Sequence, residues 1–138
     1  NISEIPDEIY KLENLKVLVC NWTRIIEFPD NFYRLSNLEY LYCRFCKIES
    51  LPHKIHKLSS LKVLMLEFCK IKSISKKMGQ MNNLEFVIFC YEGDNEKLLE
   101  KVKNKINAET FITDVCLDFP MYDSDKKVNY EDEIPQKP

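Results

Sequence analysis

Glycine is almost missing from this chain of 138 residues, occurring only as Gly79 and Gly93. A loop that wraps phosphate with its backbone needs several glycines close together, so nucleotide binding of that kind is excluded. Long apolar runs are missing as well. Stretches such as Phe86–Phe89 fall far short of the ~20 residues that cross a bilayer. Nor is there an excess of one charge. Twenty Lys and Arg stand against 22 Asp and Glu, a formal net charge of −2. The two signs are interspersed along most of the chain, which argues against nucleic acid and membrane partners. No serine or histidine arrangement suggests a catalytic centre, so the reading is of a non-enzyme with no cofactor. Nothing resembles a signal peptide, and the chain starts at Asn1 rather than Met, which leaves an upstream segment and the compartment open.

What is present is a repeat. Leu15, Leu38, Leu61 and Leu84 recur every 23 residues. Three residues after each stand Leu18, Leu41, Leu64 and Val87, and two further on Cys20, Cys43, Leu66 and Phe89. Then come Thr23, Cys46 and Cys69, followed by Ile25, Ile48 and Ile71. The second half of each unit repeats too, as Phe28-Pro29, Leu51-Pro52 and Ile74-Ser75, then Phe32, Ile55 and Met78, then Leu35, Leu58 and Met81. Ile2, Ile5-Pro6, Ile9 and Leu12 match the rear of an earlier unit.

Leu-x-x-Leu-x-Leu alternates at its centre as a short strand with one buried face does. Proline in the following block ends the pairing, because it has no N–H for a ladder. The remaining residues of each unit return the chain over the back as turns or a short helix. A single unit cannot bury its apolar face, and stacking buries a continuous column. Each inward Leu or Ile contributes roughly 1.5–3 kcal/mol on full burial.

Residues 2–92 resemble the leucine-rich-repeat family, in its 23-residue type with Leu-Pro-x-x-Ile-x-x-Leu as second half, here Leu51, Pro52, Ile55 and Leu58. The resemblance implies an α/β fold: a short solenoid with a curved parallel sheet on its concave face. It also implies a protein-binding module. The chain departs from the family where Asn usually bonds neighbouring backbone. Thr23, Cys46, Cys69 and Glu92 stand there, so the Asn ladder is absent.

The expected organisation is repeats over 1–92, made of a partial unit 1–14, units starting at 15, 38 and 61, and a last strand at 84. A helix-strand C-terminal cap follows over 93–119. Its helix carries Leu98, Leu99, Val102 and Ile106, and its strand spans Thr110–Asp118. Residues 120–138 form an acidic tail with prolines, including Asp123, Asp125, Glu131, Asp132 and Glu133, with Met121, Tyr122, Tyr130 and Ile134 as apolar anchors. No N-terminal cap is visible, so the first strand, near Val17–Val19, is expected to be a bare edge.

Cys43-x-x-Cys46 followed by His53-x-x-His56 has the spacing of a zinc site. In repeat register the cysteines fall in inward columns with Cys20 and Cys69, while the histidines lie half a circuit away, so core thiols are expected and no metal. Parallel side chains about 4.8 Å apart do not suit a disulfide. Free buried thiols suggest a reducing, cytoplasmic setting. The sequons at Asn1 and Asn21 are read as accidental.

The strand residues between the leucines point to the concave side. One column reads Val17, Tyr40, Val63, Phe86 and the next Val19, Tyr42, Met65, Ile88. A third, just past each strand, reads Trp22, Phe45, Phe68, Tyr91, with Arg44 and Glu67 between and the basic column Arg24, Lys47, Lys70 beside. Scattered apolar residues are ordinary on a surface, but a contiguous block with Trp, Tyr, Phe, Met and Arg has the composition of an interface centre. The face covers on the order of 300 Å² from strand spacings, less than half of the about 800 Å² a partner contributes to a standard interface. Flanking segments are therefore expected to contribute. The candidate occupant is a partner protein or a second copy of the chain, held by an intracellular adaptor. An alternative is a regulatory fragment or relative of a larger receptor or signalling protein.

Overall fold

The computed structural model describes residues 2–88 and, beyond them, Glu100, Lys103, Ile106 and the strand Phe111–Thr113. The expected tail, Tyr91, and most of the expected cap lie outside the described residues. The strands are β1 (Val17–Val19), β2 (Tyr40–Tyr42), β3 (Ser50–Leu51), β4 (Val63–Met65), β5 (Ser73–Ile74), β6 (Phe86–Ile88) and β7 (Phe111–Thr113).

Five of them form one parallel sheet in the order β1-β2-β4-β6-β7. The repeat spacing becomes the register: Val17 pairs with Tyr40, Tyr40 with Val63, Val63 with Phe86, and Phe86 with Phe111. This is the short leucine-rich solenoid that the 23-residue spacing implies. The strands are three residues long, yet the inter-unit bonding runs on past them. Cys20 N–H donates to the Tyr42 carbonyl at 2.9 Å, Trp22 N–H to that of Arg44 at 2.8 Å, and Phe45 N–H to that of Glu67 at 2.9 Å.

On the back of each unit the chain turns through a 3₁₀ helix, at Asp7–Lys11, Asp30–Arg34, His53–Lys57 and Lys76–Gln80. Pro6, Pro29 and Pro52 precede the first three in extended conformation. Ser75 precedes the fourth, and its hydroxyl accepts from Lys77 N–H at 3.1 Å. At five residues each is long for this tight i→i+3 geometry, whose runs seldom pass three or four. Between sheet and turns, β3 and β5 pair as a second, two-stranded parallel sheet, which the repeat pattern did not distinguish from turn.

The inward columns form a single core. Ile25, Phe32, Leu38, Leu41, Ile48, Ile55, Leu58, Leu61, Leu64 and Met78 are fully buried in or beside it. Phe28 stacks on Phe32 at 4.2 Å, and Tyr33 meets Phe32 edge-on at 5.5 Å. Burial, then the nearby Asp30 and Glu27 charges, pushes the Tyr33 phenol up to about 12. At the N-terminal end the first 3₁₀ turn buries nothing, and Leu12 and Ile2 are exposed. Towards the other end Glu100 and Lys103 are helical and Ile106 joins the core.

Candidate binding face

The concave face is built by the side of each strand that faces away from the leucine core. Its central side chains pack as a cluster of their own, with Tyr42, Met65 and Ile88 buried and Val17 and Tyr40 partly buried against them. All fourteen candidate residues were expected to be open. The structure corrects this for six: Tyr42, Val63, Met65, Glu67, Phe86 and Ile88 are buried. Val17, Tyr40, Arg44, Phe45 and Phe68 are half-buried, and Val19 and Trp22 are exposed. Tyr91 lies outside the described residues.

Just past the strands, Trp22, Phe45 and Phe68 make a ladder. Trp22 and Phe45 stack at 3.8 Å between ring centroids, and Phe45 and Phe68 at 4.3 Å, with the planes within 10° in both pairs. Each sits in left-handed backbone, with φ of 59°, 55° and 56° respectively. For a residue with a Cβ that conformation costs roughly 1–2 kcal/mol. A bulky aromatic is a poor choice there, and nothing in the pattern of sequence signalled it, since the usual marks are Gly or Asn. Stacking returns about 0.5–1.5 kcal/mol per pair beyond the area buried, so the rings help hold the turn that strains them.

Arg44 and Glu67 lie between the columns on neighbouring units. Both stand among the candidate contact residues, and they form an ion pair with each other. Glu67 is 0% exposed, and a carboxylate taken from water at that depth needs such a counter-charge. Asn21, one unit earlier, accepts from Arg44 N–H through its side-chain oxygen at 2.8 Å. Along the edge before the strands, Lys16 and Lys62 clasp Glu39 from the units on either side at 3.1 and 2.5 Å. Their hydrogen bonds, that of Lys62 first, hold the Glu39 carboxyl below its usual range and raise Lys62 in turn.

Behind the face, thiols do the work of the missing asparagines. Cys46 S–H donates to the Cys20 carbonyl at 3.0 Å, and Cys69 S–H to the Cys43 carbonyl at 2.8 Å. Thr23, half-buried, gives the Cys20 carbonyl a second donor at 2.9 Å and lies 3.3 Å from the Cys46 sulfur. Cys20, Cys43, Cys46 and Cys69 are all buried and unbridged. Burial pushes the Cys43 thiol up, and the adjacent Cys46 sulfur, with burial, does the same for Cys69. At Cys46 the Cys43 and Cys69 thiols and the Thr23 hydroxyl favour the thiolate. Its bond to the Cys20 carbonyl needs the proton, and at 5% exposure the neutral form prevails. The histidines of the expected zinc spacing sit elsewhere. His53 meets Ser75 Oγ at 2.7 Å, and His56 contacts the His53 carbonyl, both on the back turn.

Among the described residues no helix is long and apolar enough to cross a membrane. A family model described as "Leucine-rich repeat region" matches residues 1–129. No curated protein sequence matches the chain. Among solved structures, the chain is similar to an LRR protein of Leptospira interrogans, with TM-score 0.73 and 25% identity over 82% of this chain. The match spans only 29% of that bacterial protein.

Proposed function

Because the chain belongs to the leucine-rich-repeat family, we propose that it is an adaptor or scaffold module that holds a protein partner on its concave face. Repeats of this family generally mediate protein–protein interaction and are typically binding modules rather than enzymes. The observation that carries the assignment to this face is the Trp22–Phe45–Phe68 ladder, three aromatic side chains in left-handed backbone. Strained conformations persist where the surrounding structure enforces them, and they cluster at ligand clamps and binding sites. Trp22 ends the ladder at 57% exposure, with Val19 and the half-buried Val17 and Tyr40 beside it. This gives an apolar anchor on the open end of the face, of the residue type that dominates binding energy.

Four reduced, buried cysteines suit a reducing compartment, which supports an intracellular setting. The test is capture from the source cell with the wild-type chain, with Trp22→Asp, and with Lys54→Glu on the back turn. The reading expects one set of partners kept by Lys54→Glu and lost by Trp22→Asp. Loss with Lys54→Glu and retention with Trp22→Asp would move the site to the back.

A further inference from the structure

Every ion pair between described residues joins opposite charges on neighbouring units. Lys16, Glu39, Lys62 and Glu85 share one column and alternate in sign, and Glu39 is clasped by the lysines on both sides. Glu49 meets Lys72 at 2.6 Å, Asp30 meets Lys54 at 2.6 Å, and Arg44 pairs with Glu67. The column Arg24, Lys47 and Lys70 breaks this pattern. All three are exposed cations on successive units, and none has an ion pair among the described residues. Backbone bonds keep the units in register here: Arg24 N–H donates to the Ile2 carbonyl at 2.7 Å, and Lys47 N–H to that of Ile25 at 3.0 Å. Like charges placed side by side in such a ladder repel.

A second basic column, Lys11, Arg34 and Lys57, has a local cause. Each residue ends a 3₁₀ turn, where the carbonyl end favours a cation, and Arg34 lies over the Tyr10 ring at 4.3 Å. Arg24, Lys47 and Lys70 lie outside every described helix. What they share is an aromatic residue two positions earlier: Trp22, Phe45 and Phe68. The Phe45 ring is covered on both faces by Trp22 and Phe68, so this half-buried side chain meets solvent at its rim. The rim of an aromatic ring carries the positive end of its quadrupole. Cations and ring edges thus form two adjoining strips of one sign, three units long.

We propose that these two strips hold an acidic amphipathic helix of a partner protein, lying along the solenoid axis. This deepens the proposed function, on which it rests, by naming the chemistry and shape of the partner. Neighbouring units stand about 4.8 Å apart, so the column spans about 9.6 Å in two steps. A helix with carboxylates at i, i+3 and i+7 spreads them over about 10.5 Å. An extended chain with acids on one side needs about 13 Å for three. The helix therefore meets Arg24, Lys47 and Lys70 one to one, while an extended peptide drifts out of step. Its adjoining apolar stripe packs on the edges of Phe45 and Phe68 and on the open Trp22, as amphipathic helices do in apolar grooves.

Trp22 is the single tryptophan of the chain, so its emission reports on the site directly. The probe is a synthetic peptide of about 20 residues, long enough to be helical alone, with Glu at i, i+3 and i+7 and Leu on the adjoining stripe. Titrated into the full chain, it is expected to shift Trp22 emission to the blue and to bind more weakly as salt rises. Reversing the column with Arg24→Glu, Lys47→Glu and Lys70→Glu should weaken binding about tenfold or more. Lys11→Glu, Lys57→Glu and Lys76→Glu, an equal change of charge at exposed sites on the back, should leave it unchanged. The column-reversed protein should instead bind a peptide with Lys in place of Glu, which also shows that it folds. Should it fail to fold, Arg24→Gln, Lys47→Gln and Lys70→Gln take its place, and undiminished binding there overturns the inference. Equal affinity for a peptide with its Glu residues scattered round the helix, or for one broken by a central proline, also overturns it. So do equal weakening by the two reversals, absence of any binding, and tighter binding of duplex DNA than of the peptide. None of these results touches the partner-capture test, because loss of partners with Trp22→Asp does not depend on their being helical.

Discussion

Replacing Cys69 with Ala is expected to destabilise the protein more than the same change at Cys46, although both are buried thiols in one column. Each variant loses a buried sulfur, comparable to a methylene and worth about 0.8 kcal/mol. The difference lies in what each thiol leaves behind. Cys46 donates to the Cys20 carbonyl, which keeps the Thr23 hydroxyl at 2.9 Å when Cys46 is gone. Cys69 donates to the Cys43 carbonyl at 2.8 Å, for which no second donor stands among the described residues. A buried carbonyl left without a donor costs about 1–3 kcal/mol, so Cys69→Ala should cost about 2–4 kcal/mol and Cys46→Ala about 1. Cys69→Ser retains a donor and should recover most of the loss. Urea unfolding at equilibrium measures all three, with an unchanged slope required for the comparison. Equal costs for the two alanine variants, or no recovery with serine, would refute the thiol-for-asparagine reasoning.

Cys20, Cys43, Cys46 and Cys69 should resist alkylation in the native protein and react only on unfolding, as mass spectrometry of labelled peptides would show; rapid native labelling of Cys46 contradicts the neutral buried thiol. Phe45→Gly should be at least as stable as Phe45→Ala, because glycine relieves the left-handed strain of roughly 1–2 kcal/mol that alanine keeps; thermal melts give the order. Tyr33 keeps its proton up to about 12 in the folded state against an ordinary 10.0. The unfolded chain therefore releases that proton first as pH rises, and stability falls between those two values. Tyr33→Phe should flatten that fall in denaturation curves taken across the alkaline range.

The solenoid was legible because stacking turns sequence spacing into strand register. Leu18, Leu41, Leu64 and Val87 occupy equivalent places in β1, β2, β4 and β6. The inward cysteines were legible for the same reason. Three features were not. The left-handed turns at Trp22, Phe45 and Phe68 carry no local signal, since their residue type argues against that conformation. The β3–β5 pair rests on two residues per strand, Ser50–Leu51 and Ser73–Ile74, too few for any periodicity. Burial of Tyr42, Met65 and Ile88 depends on what covers the face, and the period of two along a strand says which side a residue takes, not whether that side is wet. The Arg44–Glu67 pair was half legible: both residues were placed on the face, but the pattern did not show that they neutralise each other.

The central claim is that the open end of the concave face holds the partner. It is tested most directly by the affinity of a captured partner for Trp22→Ala and Ile26→Ala, measured calorimetrically beside the wild type. The two side chains are matched in exposure, at 57% and 63%, but Ile26 follows the core residue Ile25 on the way to the back of the unit. The account predicts a loss of about 2 kcal/mol or more, roughly thirtyfold in Kd, for Trp22→Ala, with Ile26→Ala indistinguishable from wild type. Wild-type affinity in Trp22→Ala, or a larger loss in Ile26→Ala, would contradict it.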